Sequence, residues 1–480
     1  MRAFRVLVNF YFWRTKLNIL AISPEAGITT SALATAVDRM TEAFCRVGTN
    51  VITCSPFYKQ RIANPESYEC VFRGEERLHH KPFEVYRATG SLHTYIYNDE
   101  FFGRPYIYGE PGVPYADNHI RYSFLASAAL EYAVATGFVP DAVLGHEWGG
   151  ALAGHMLRTH FAKEFGNVQF FLTVHNITYD FLVSDTEIEK LGLPGDDYNM
   201  DGYEYWGKVS LLKAGILYAH TVLLPSTGYR DTILSTNLSG GLTGFLRRNA
   251  GKIKGIQFGV SYDTWDFNRE SKLPIIEAKQ KAKAELAALV GADFSDKLLV
   301  YAHIDSESGN TTETLSTLLA DFAALNTFVL VGIHENMPER EYFNAVAAEY
   351  PNSFCVRPIG ETTTNLQKYL AGADILFAGN VREPSTSIIL KALAAGTIPV
   401  TGRENGVANL LVSYQDSNAD QANAILSDDA NNPVLMLRCI KKSLEIYKSE
   451  DWNRLVQNAY TFRYEWDRTV CQYLITLGEH

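Results

Sequence analysis

Cysteine is scarce in this sequence of 480 residues, which holds six, and no two of them form a CxxC pair. Scattered cysteines of this kind exclude a disulfide framework and a cysteine-rich zinc site, and they are typical of a reducing compartment. We therefore expect a cytoplasmic protein, or a plastid stromal one if the source is a photosynthetic eukaryote.

Long apolar runs and an excess of positive charge are also missing. No apolar stretch reaches the roughly 18 residues that cross a bilayer. The basic, aromatic residues 1–16 lack a small-residue cleavage site, so they predict an N-terminal extension rather than a signal peptide. The 43 Lys and Arg residues are outnumbered by 54 Asp and Glu residues, for a formal net charge of -11. This balance disfavours nucleic acid as a partner.

What the sequence does have is a regular alternation of short apolar strands with helical patterns. One βα series begins at Leu17 and a second follows a charged helix at residues 277–289. Such a rhythm is typical of parallel, doubly wound α/β sheets. We predict two Rossmann-like domains, at residues 17–270 and 271–448, facing a cleft that holds a ligand. The aromatic, glycine-rich stretch 59–110 predicts a β-hairpin or loop excursion from the first domain.

Several segments resemble motifs of bacterial glycogen synthases and plant starch synthases, in the same order along the chain. In the first half they are PDAVLGHEWGGALA (140–153), FLTVHNITY (171–179), GKVSLLKAGILYA (207–219) and GKIKGIQFGVSYDTW (251–265), preceded by RPYIYGEPGVPYADN (104–118). In the second half they are AGADILFA (371–378), REP (382–384) and AGTIPV (395–400).

The resemblance implies a GT-B glycosyltransferase fold, with C-terminal helices at residues 449–480 crossing back to the first domain. It also implies a donor such as ADP-glucose or UDP-glucose and transfer of glucose, with retention, to the non-reducing end of an α-1,4-glucan. Neither a metal nor another cofactor is expected.

The phosphate-binding motifs of that family are degenerate in this sequence. The family motif KTGGLGD aligns with residues 29–35, where Thr29 replaces the Lys and Ser31 and Ala32 replace the glycines. The family motif GRLxxQKG aligns with residues 302–309, where His303 replaces the Arg and Ser308 replaces the Lys. The glycine-containing EPCGL segment is likewise altered, to Ser385, Thr386 and Ser387 after Glu383-Pro384.

These replacements remove the positive charge that a departing nucleoside diphosphate requires. Each charge-assisted hydrogen bond contributes about 1.5–3 kcal/mol, so losing three predicts a rate lower by about a thousandfold or more. Arg382, Lys391 and Arg403 could supply replacement cations. A lone lysine on a helix is more often solvated, and this is the favoured interpretation of Lys391.

By resemblance, His146, Asp117 and Glu383 are candidate catalytic residues and Asn176 a candidate donor contact. Each also has a structural interpretation. His146 could satisfy a buried backbone group, Asp117 could cap the helix that follows it, and Asn176 could be a turn residue. Glu383 could be a favourable charge at a helix N-terminus.

The sequence thus predicts a glycogen- or starch-synthase-like glycosyltransferase with a degenerate diphosphate site and altered or weak activity. The alternative is an inactive relative that binds glucan or a protein partner. A third possibility, an epimerase or phosphorylase of the same architecture, is weaker because no motif for a pyridoxal-phosphate lysine is present. Cations that converge on the site would favour the first interpretation, whereas Asp305 and Glu307 lining it would favour the second.

Overall fold

The computed structural model describes residues 17–237, 239–305, 310–360, 363–379 and 387–479, so the expected extension at 1–16 lies outside the described residues. By their mutual contacts the residues group into two compact units. The first runs to Pro225 and adds Ile233–Ile256 and the chain from Trp466; the second comprises Ser226–Thr232 and Gln257–Glu465. The predicted domain limits, 270 and 448, differ from these points.

The first unit is an α/β layer structure with a long mixed sheet. Its strands are β1 Asn18–Ile22, β2 Asn50–Pro56, β3 Tyr68–Glu75, β4 Pro82–Ala88, β5 His93–Tyr97, β6 Gly109–Glu110, β7 Val113–Pro114, β8 Ala142–His146, β9 Gln169–Thr173, β10 Leu182–Ser184, β11 Glu204–Tyr205, β12 Lys208–Ser210, β13 Thr221–Leu224 and β14 Ile253–Gly255. Its helices are α1 Ala32–Arg46, α2 Asp99–Phe102, α3 Asn118–Ala135, α4 Glu147–Gly150, α5 Ala153–Arg158, α6 Ala162–Phe165, α7 Leu211–Tyr218, the last part of α8 Thr227–Ser235, and α9 Thr243–Arg248.

The nine-stranded sheet has the order β14-β13-β9-β8-β1-β2-β5-β4-β3. Strands β14 to β5 of this order are mutually parallel, whereas β4 and β3 are antiparallel additions. The chain reverses its direction of winding between β1 and β8, which makes their carboxyl ends the topological switch point where α/β proteins bind ligands. The excursion predicted for residues 59–110 is confirmed as the β3–β4–β5 meander.

Local sequence explains why the first βα unit forms. Ile19, Leu20 and Ile22 of β1 are fully buried, as expected of a central strand covered on both faces. The helix α1 buries residues at helical spacing, namely Ala34, Val37, Met40, Thr41 and Phe44. It ends just before Gly48, whose φ of +93° is a left-handed conformation that glycine adopts without strain.

The helix Trp466–Gly478 groups with the first unit although it is the last element of the chain. Tyr473 on this helix is fully buried, and its ring meets that of Phe44 edge-to-face with 6.2 Å between centroids. Arg46 at the end of α1 forms an ion pair with Asp467 at 2.7 Å. The predicted return of C-terminal helices is therefore found for this helix alone, since the preceding one belongs to the second unit.

The second unit contains a six-stranded parallel sheet in the order β17-β16-β15-β18-β19-β20. Its strands are β15 Leu298–Ile304, β16 Thr327–Ile333, β17 Phe354–Pro358, β18 Ile375–Phe377, β19 Ile398–Gly402 and β20 Ile425–Ser427. Its helices, besides the start of α8, are α10 Tyr262–Trp265, α11 Ile275–Val290, α12 Thr311–Thr317, α13 Leu319–Ala324, α14 Glu339–Glu349, α15 Thr363–Gly372, α16 Ser387–Ala394, α17 Pro433–Ile446 and α18 Glu450–Thr461, and the helix at Trp466–Gly478 completes the series as α19.

This strand order is that of a Rossmann fold, with the first strand, β15, next to β18 at the switch point. Strand β16 is buried along its whole length, as its apolar sequence TFVLVGI predicts. Single 3₁₀ turns complete the description at Lys59–Arg61, Pro65–Ser67, Asp185–Glu187, Gly195–Asp197, Ala250–Lys252 and Ala408–Leu410. Among the helices described, none combines the length and apolar character that spanning a membrane requires.

Candidate active site

The switch point of the first unit brings two predicted motifs to neighbouring strand ends. The segment that contains Thr29 and Ser31 follows β1, and His146 is the last residue of β8, which pairs with β1. The backbones approach closely here, because a Cβ on Gly150 would lie 2.7 Å from the carbonyl oxygen of Ile22. Glycine is therefore required for this strand–turn to pack.

Thr29 and Ser31 lie in the segment between β1 and α1. Thr29 is buried, and its hydroxyl has no hydrogen-bond partner within the described ranges. Ser31 is the N-cap of α1: its hydroxyl oxygen accepts a hydrogen bond from the backbone N–H of Ala34 at 3.0 Å. Ala32 is the first residue of the helix. These three residues carry no charge, and the N-terminus of α1 contributes positive potential at this turn.

The capping contact predicts a modest stability effect at Ser31. We expect Ser31→Ala to lower the free energy of unfolding by about 1 kcal/mol, because the Ala34 N–H loses its acceptor. Ser31→Gly is expected to cost only a few tenths of a kcal/mol. Urea denaturation of both variants checks this, and equal losses would contradict a capping role.

His146 and His175 form a buried pair at the ends of β8 and of the chain that continues β9. The Nδ1 atom of His146 lies 3.4 Å from Nε2 of His175. Burial lowers the pKa of His146 to about 4, and burial together with the neighbouring imidazole lowers the pKa of His175 well below its ordinary value. Both rings are therefore neutral at pH 7, able to donate and accept hydrogen bonds with hydroxyl groups.

Glu147 holds the backbone of His175 in place. Its backbone is left-handed, with φ of +54°, and its Oε1 accepts a hydrogen bond from the backbone N–H of His175 at 2.6 Å. A non-glycine residue in this conformation is strained, and such strain concentrates at functional sites. His175 belongs to the HNIT segment but was not predicted as a site residue. The signal that could have identified it was its position two residues after the buried strand β9.

Asn176 has the geometry of a turn residue. Its Oδ1 accepts hydrogen bonds from the backbone N–H of Thr178 at 3.0 Å and from the Thr178 hydroxyl at 2.7 Å. This is the Asx turn that the structural interpretation anticipated. Contact with a donor remains a prediction for this residue.

Asp117 precedes α3, but its side chain does not cap that helix. Its two carboxylate oxygens instead accept bidentate hydrogen bonds from Arg104, at 2.7 and 2.6 Å. Burial disfavours the charged carboxylate, but the guanidinium outweighs burial and lowers the pKa of Asp117. Asp117 thus occupies the N-cap position, but its side chain pairs with Arg104 instead of capping the helix. Arg104 lies 13 residues earlier in an irregular loop, so sequence spacing gave no signal for the pair.

In the second unit, His303 is held in a polar chain at the end of β15. Its Nδ1 lies 3.0 Å from the hydroxyl of Tyr301 and its Nε2 lies 3.1 Å from a carboxylate oxygen of Asp305. Residues two apart on a strand share a face, so the three side chains meet directly. Burial raises the pKa of Tyr301 well above its ordinary value, which keeps that hydroxyl protonated as a donor. Asp305 therefore places negative charge where the resembled family has a cationic motif.

Two of the candidate replacement cations, Arg403 and Lys391, have other partners. Arg403 donates from Nε to Asp428 at 2.8 Å. Lys391 lies with Nζ 4.5 Å from the centre of the Trp265 ring. Burial lowers the pKa of Lys391 to about 8, against the opposing attraction of Asp305. Lys391 is therefore only partly exposed, because a distant segment supplies the indole face beside it, and its role stays a prediction.

The remaining predicted residues fall mostly outside the described ranges. These are Ser308, Arg382, Glu383, Ser385 and Thr386, with Glu307 beside them. Ser387 begins α16 and is partly buried. Their roles remain predictions.

Comparison with known proteins agrees with this architecture. Residues 18–248 match the family described as the starch synthase catalytic domain. The chain is 28% identical over 386 residues to a glycogen synthase of Albidiferax ferrireducens, covering 78% of this chain and 77% of the relative. It is 25% identical over 485 residues to glycogen synthase 2 of Geobacter sulfurreducens, covering 95% and 97%. The catalytic domain of starch synthase IV from Arabidopsis thaliana, solved with ADP and acarbose, superimposes with a TM-score of 0.82 at 19% identity, covering 97% of this chain and 99% of that one.

Proposed function

Because this chain belongs to the glycogen synthase and starch synthase family of GT-B glycosyltransferases, we propose that it is a retaining glucosyltransferase with a weakened diphosphate site. Its donor is a nucleoside-diphosphate glucose and its acceptor an α-1,4-glucan. The starch synthase IV structure with ADP and acarbose supports this choice of ligands.

One observation supports the proposal that the diphosphate site is weakened. His303 stands where the family motif has Arg, and it is held by Tyr301 and by the carboxylate of Asp305. Negative charge develops on the diphosphate as the glycosidic bond breaks, and only donors or cations aimed at that charge accelerate departure. A histidine already engaged by a carboxylate is a poor source of such stabilisation.

The sugar end of the site is better preserved. The His146–His175 pair is buried and uncharged at pH 7. A neutral imidazole at the end of β8 can hydrogen-bond a hydroxyl of the transferred glucose without adding charge near the reacting carbon. Asn176 follows on the neighbouring strand, and the carboxylate of Asp117 is held in place by Arg104. Substrate positioning can therefore persist while leaving-group stabilisation is reduced.

This proposal predicts slow turnover. We expect incorporation of radiolabelled glucose from ADP-glucose or UDP-glucose into glycogen to be about a thousandfold or more below the roughly 10 per second of a typical enzyme. The physical reason is the loss of charge-assisted contacts that strengthen as the bond breaks. Turnover within tenfold of the typical value would contradict the proposal and direct attention to Arg382, Lys391 and Arg403.

The alternative is an inactive relative that binds glucan or a protein partner. Asp305 favours it, because this carboxylate repels a diphosphate at the end of β15. Calorimetric titration with ADP-glucose, UDP-glucose and maltooligosaccharides separately decides between the two. Nucleotide-sugar binding supports the transferase, whereas glucan binding without any nucleotide-sugar binding supports the inactive relative.

The six free cysteines favour a reducing location, in the cytoplasm or the plastid stroma.

A further inference from the structure

We propose that Trp206, at the tip of the β11–β12 hairpin, is a stacking platform for an α-1,4-glucan chain, outside the residues assigned to the active site. The inference rests on the proposed function, since it takes the polymeric acceptor as its ligand. It concerns the first unit alone.

The hairpin has a two-residue loop that disfavours tryptophan. Tyr205 pairs with Lys208, which leaves Trp206 and Gly207 as the loop. Both have positive φ, at 52° and 76°. Loops of this kind select Asn-Gly or Asp-Gly, because a bulky side chain is strained in the left-handed region. The chain thus holds a large aromatic residue where turn formation alone would select Asn.

Packing does not explain the tryptophan either. Its side chain is among the most exposed large apolar groups of the described chain, with 83% of the residue accessible. One edge lies along the Gly240–Gly241 loop: a Cβ on Gly241 would be 3.8 Å from Nε1 of Trp206 and 2.8 Å from the Tyr205 hydroxyl. The Tyr205 ring meets the indole edge-on at 6.3 Å. The glycine loop and Tyr205 therefore fix the ring while its face stays open to solvent.

The surroundings identify the ligand class. Glu204 accepts a hydrogen bond from the Gly207 N–H at 2.6 Å, and Asp201 pairs with Arg248 at 2.8 Å. Glu204 and Lys208 thus place charges of both signs within two residues of Trp206 in sequence, whereas an anionic lipid surface selects a cluster of basic residues. A glucan offers an apolar C–H face to the negative face of an aromatic ring and hydroxyl groups to such charged neighbours.

A second contact of this kind benefits a polymer acceptor. When one part of a glycogen molecule is held on the hairpin, its chain ends are presented to the active site at a raised effective concentration. Short acceptors gain nothing, because they cannot occupy both places at once. The platform therefore predicts a preference for long glucans that is separate from the chemical step.

The decisive variant is Trp206→Asn, tested in the full-length protein. Affinity electrophoresis in gels containing glycogen is expected to show binding weakened about tenfold, the effect of removing a dominant aromatic contact. Thermal unfolding is expected to occur at the same or a higher temperature, because Asn-Gly suits the turn. Trp206→Tyr should retain part of the glycogen affinity. Tyr342→Ala, which removes another exposed aromatic residue, should change neither property.

Three results would overturn the proposal: unchanged glycogen affinity in Trp206→Asn, a lowered unfolding temperature, or loss of concentration-dependent self-association in sedimentation. The last two would show a structural residue and an interface between copies, respectively. Transfer to maltotriose is measured in parallel. If transfer fails while glycogen binding depends on Trp206, the proposed transferase activity is wrong and the platform stands; if transfer is intact and glycogen binding ignores Trp206, the platform alone is wrong.

Discussion

Rebuilding the cationic diphosphate site should raise affinity for ADP-glucose by about a hundredfold or more. The variant combines Thr29→Lys, His303→Arg and Asp305→Asn, and restores two charges. At about 1.5–3 kcal/mol for each charge-assisted contact, two contacts correspond to at least that factor. Calorimetric titration measures the affinity, and glucose incorporation into glycogen measures whether the same contacts accelerate departure of the diphosphate. Ser308→Lys can be added as the third charge.

The structure shows why the Asp305 change is needed. Asp305 lies 3.1 Å from His303, so an arginine placed there alone would be neutralised by that carboxylate. We expect His303→Arg by itself to give at most a small gain. A full gain from the single variant would contradict the role given to Asp305. Arg403→Ala serves as a control, and a fall in affinity there would show that Arg403, despite its pairing with Asp428, supplies charge to the site.

Acidification is expected to destabilise the first unit through its buried histidines. The native pKa of His146 is about 4, whereas the unfolded imidazole titrates near 6.5. Between pH 6.5 and 4 the unfolded state therefore binds a proton at His146 that the native state does not bind. The contribution of the neutral His146 to the free energy of unfolding is fully present above pH 6.5 and is lost as the pH falls towards 4. The loss from His146 alone amounts to about 3 kcal/mol. His175, whose pKa is lowered further, adds to it.

Two histidine variants separate the contribution of the buried His146 to the pH dependence of stability from that of an exposed histidine. His146→Gln should flatten the dependence of the unfolding free energy on pH between 6.5 and 4, by about one proton. His80→Gln removes an exposed imidazole, with 77% of its side chain accessible, and should leave the slope unchanged. Urea denaturation at several pH values provides the measurement. Equal slopes in wild type and His146→Gln would mean that the native protein protonates His146 freely.

Much of the fold could be predicted because strand and helix periodicities are local. The helix predicted at residues 277–289 is observed as Ile275–Val290, and the first βα series, predicted from Leu17, begins with β1 at Asn18. Each depends on the spacing of apolar residues and on nearby turn residues. The ends of the units were harder to place, since they depend on contacts between segments far apart in sequence.

The same difference between local and long-range contacts decides which parts of the site could be predicted. The Tyr301–His303–Asp305 chain was readable in principle, since residues two apart on a strand share a face. The Arg104–Asp117 pair and the cover of Lys391 by Trp265 were not, because each joins segments that only the folded chain brings together. From sequence alone, a lysine on a helix is expected to be solvated, because the segment that lies beside it in the folded chain is not known.

The return of the last helix to the first unit has a consequence for synthesis in the cell. Tyr473 completes the contact with Phe44 only after about 430 further residues have been made, which at 5–20 residues per second takes roughly 20–90 seconds. During that time the emerging α1 has an uncovered aromatic surface, although the second unit can already fold as a uniform parallel sheet. The unit that begins first is thus finished last, and a ribosome stalled near residue 465 would leave it exposed to chaperones and proteases.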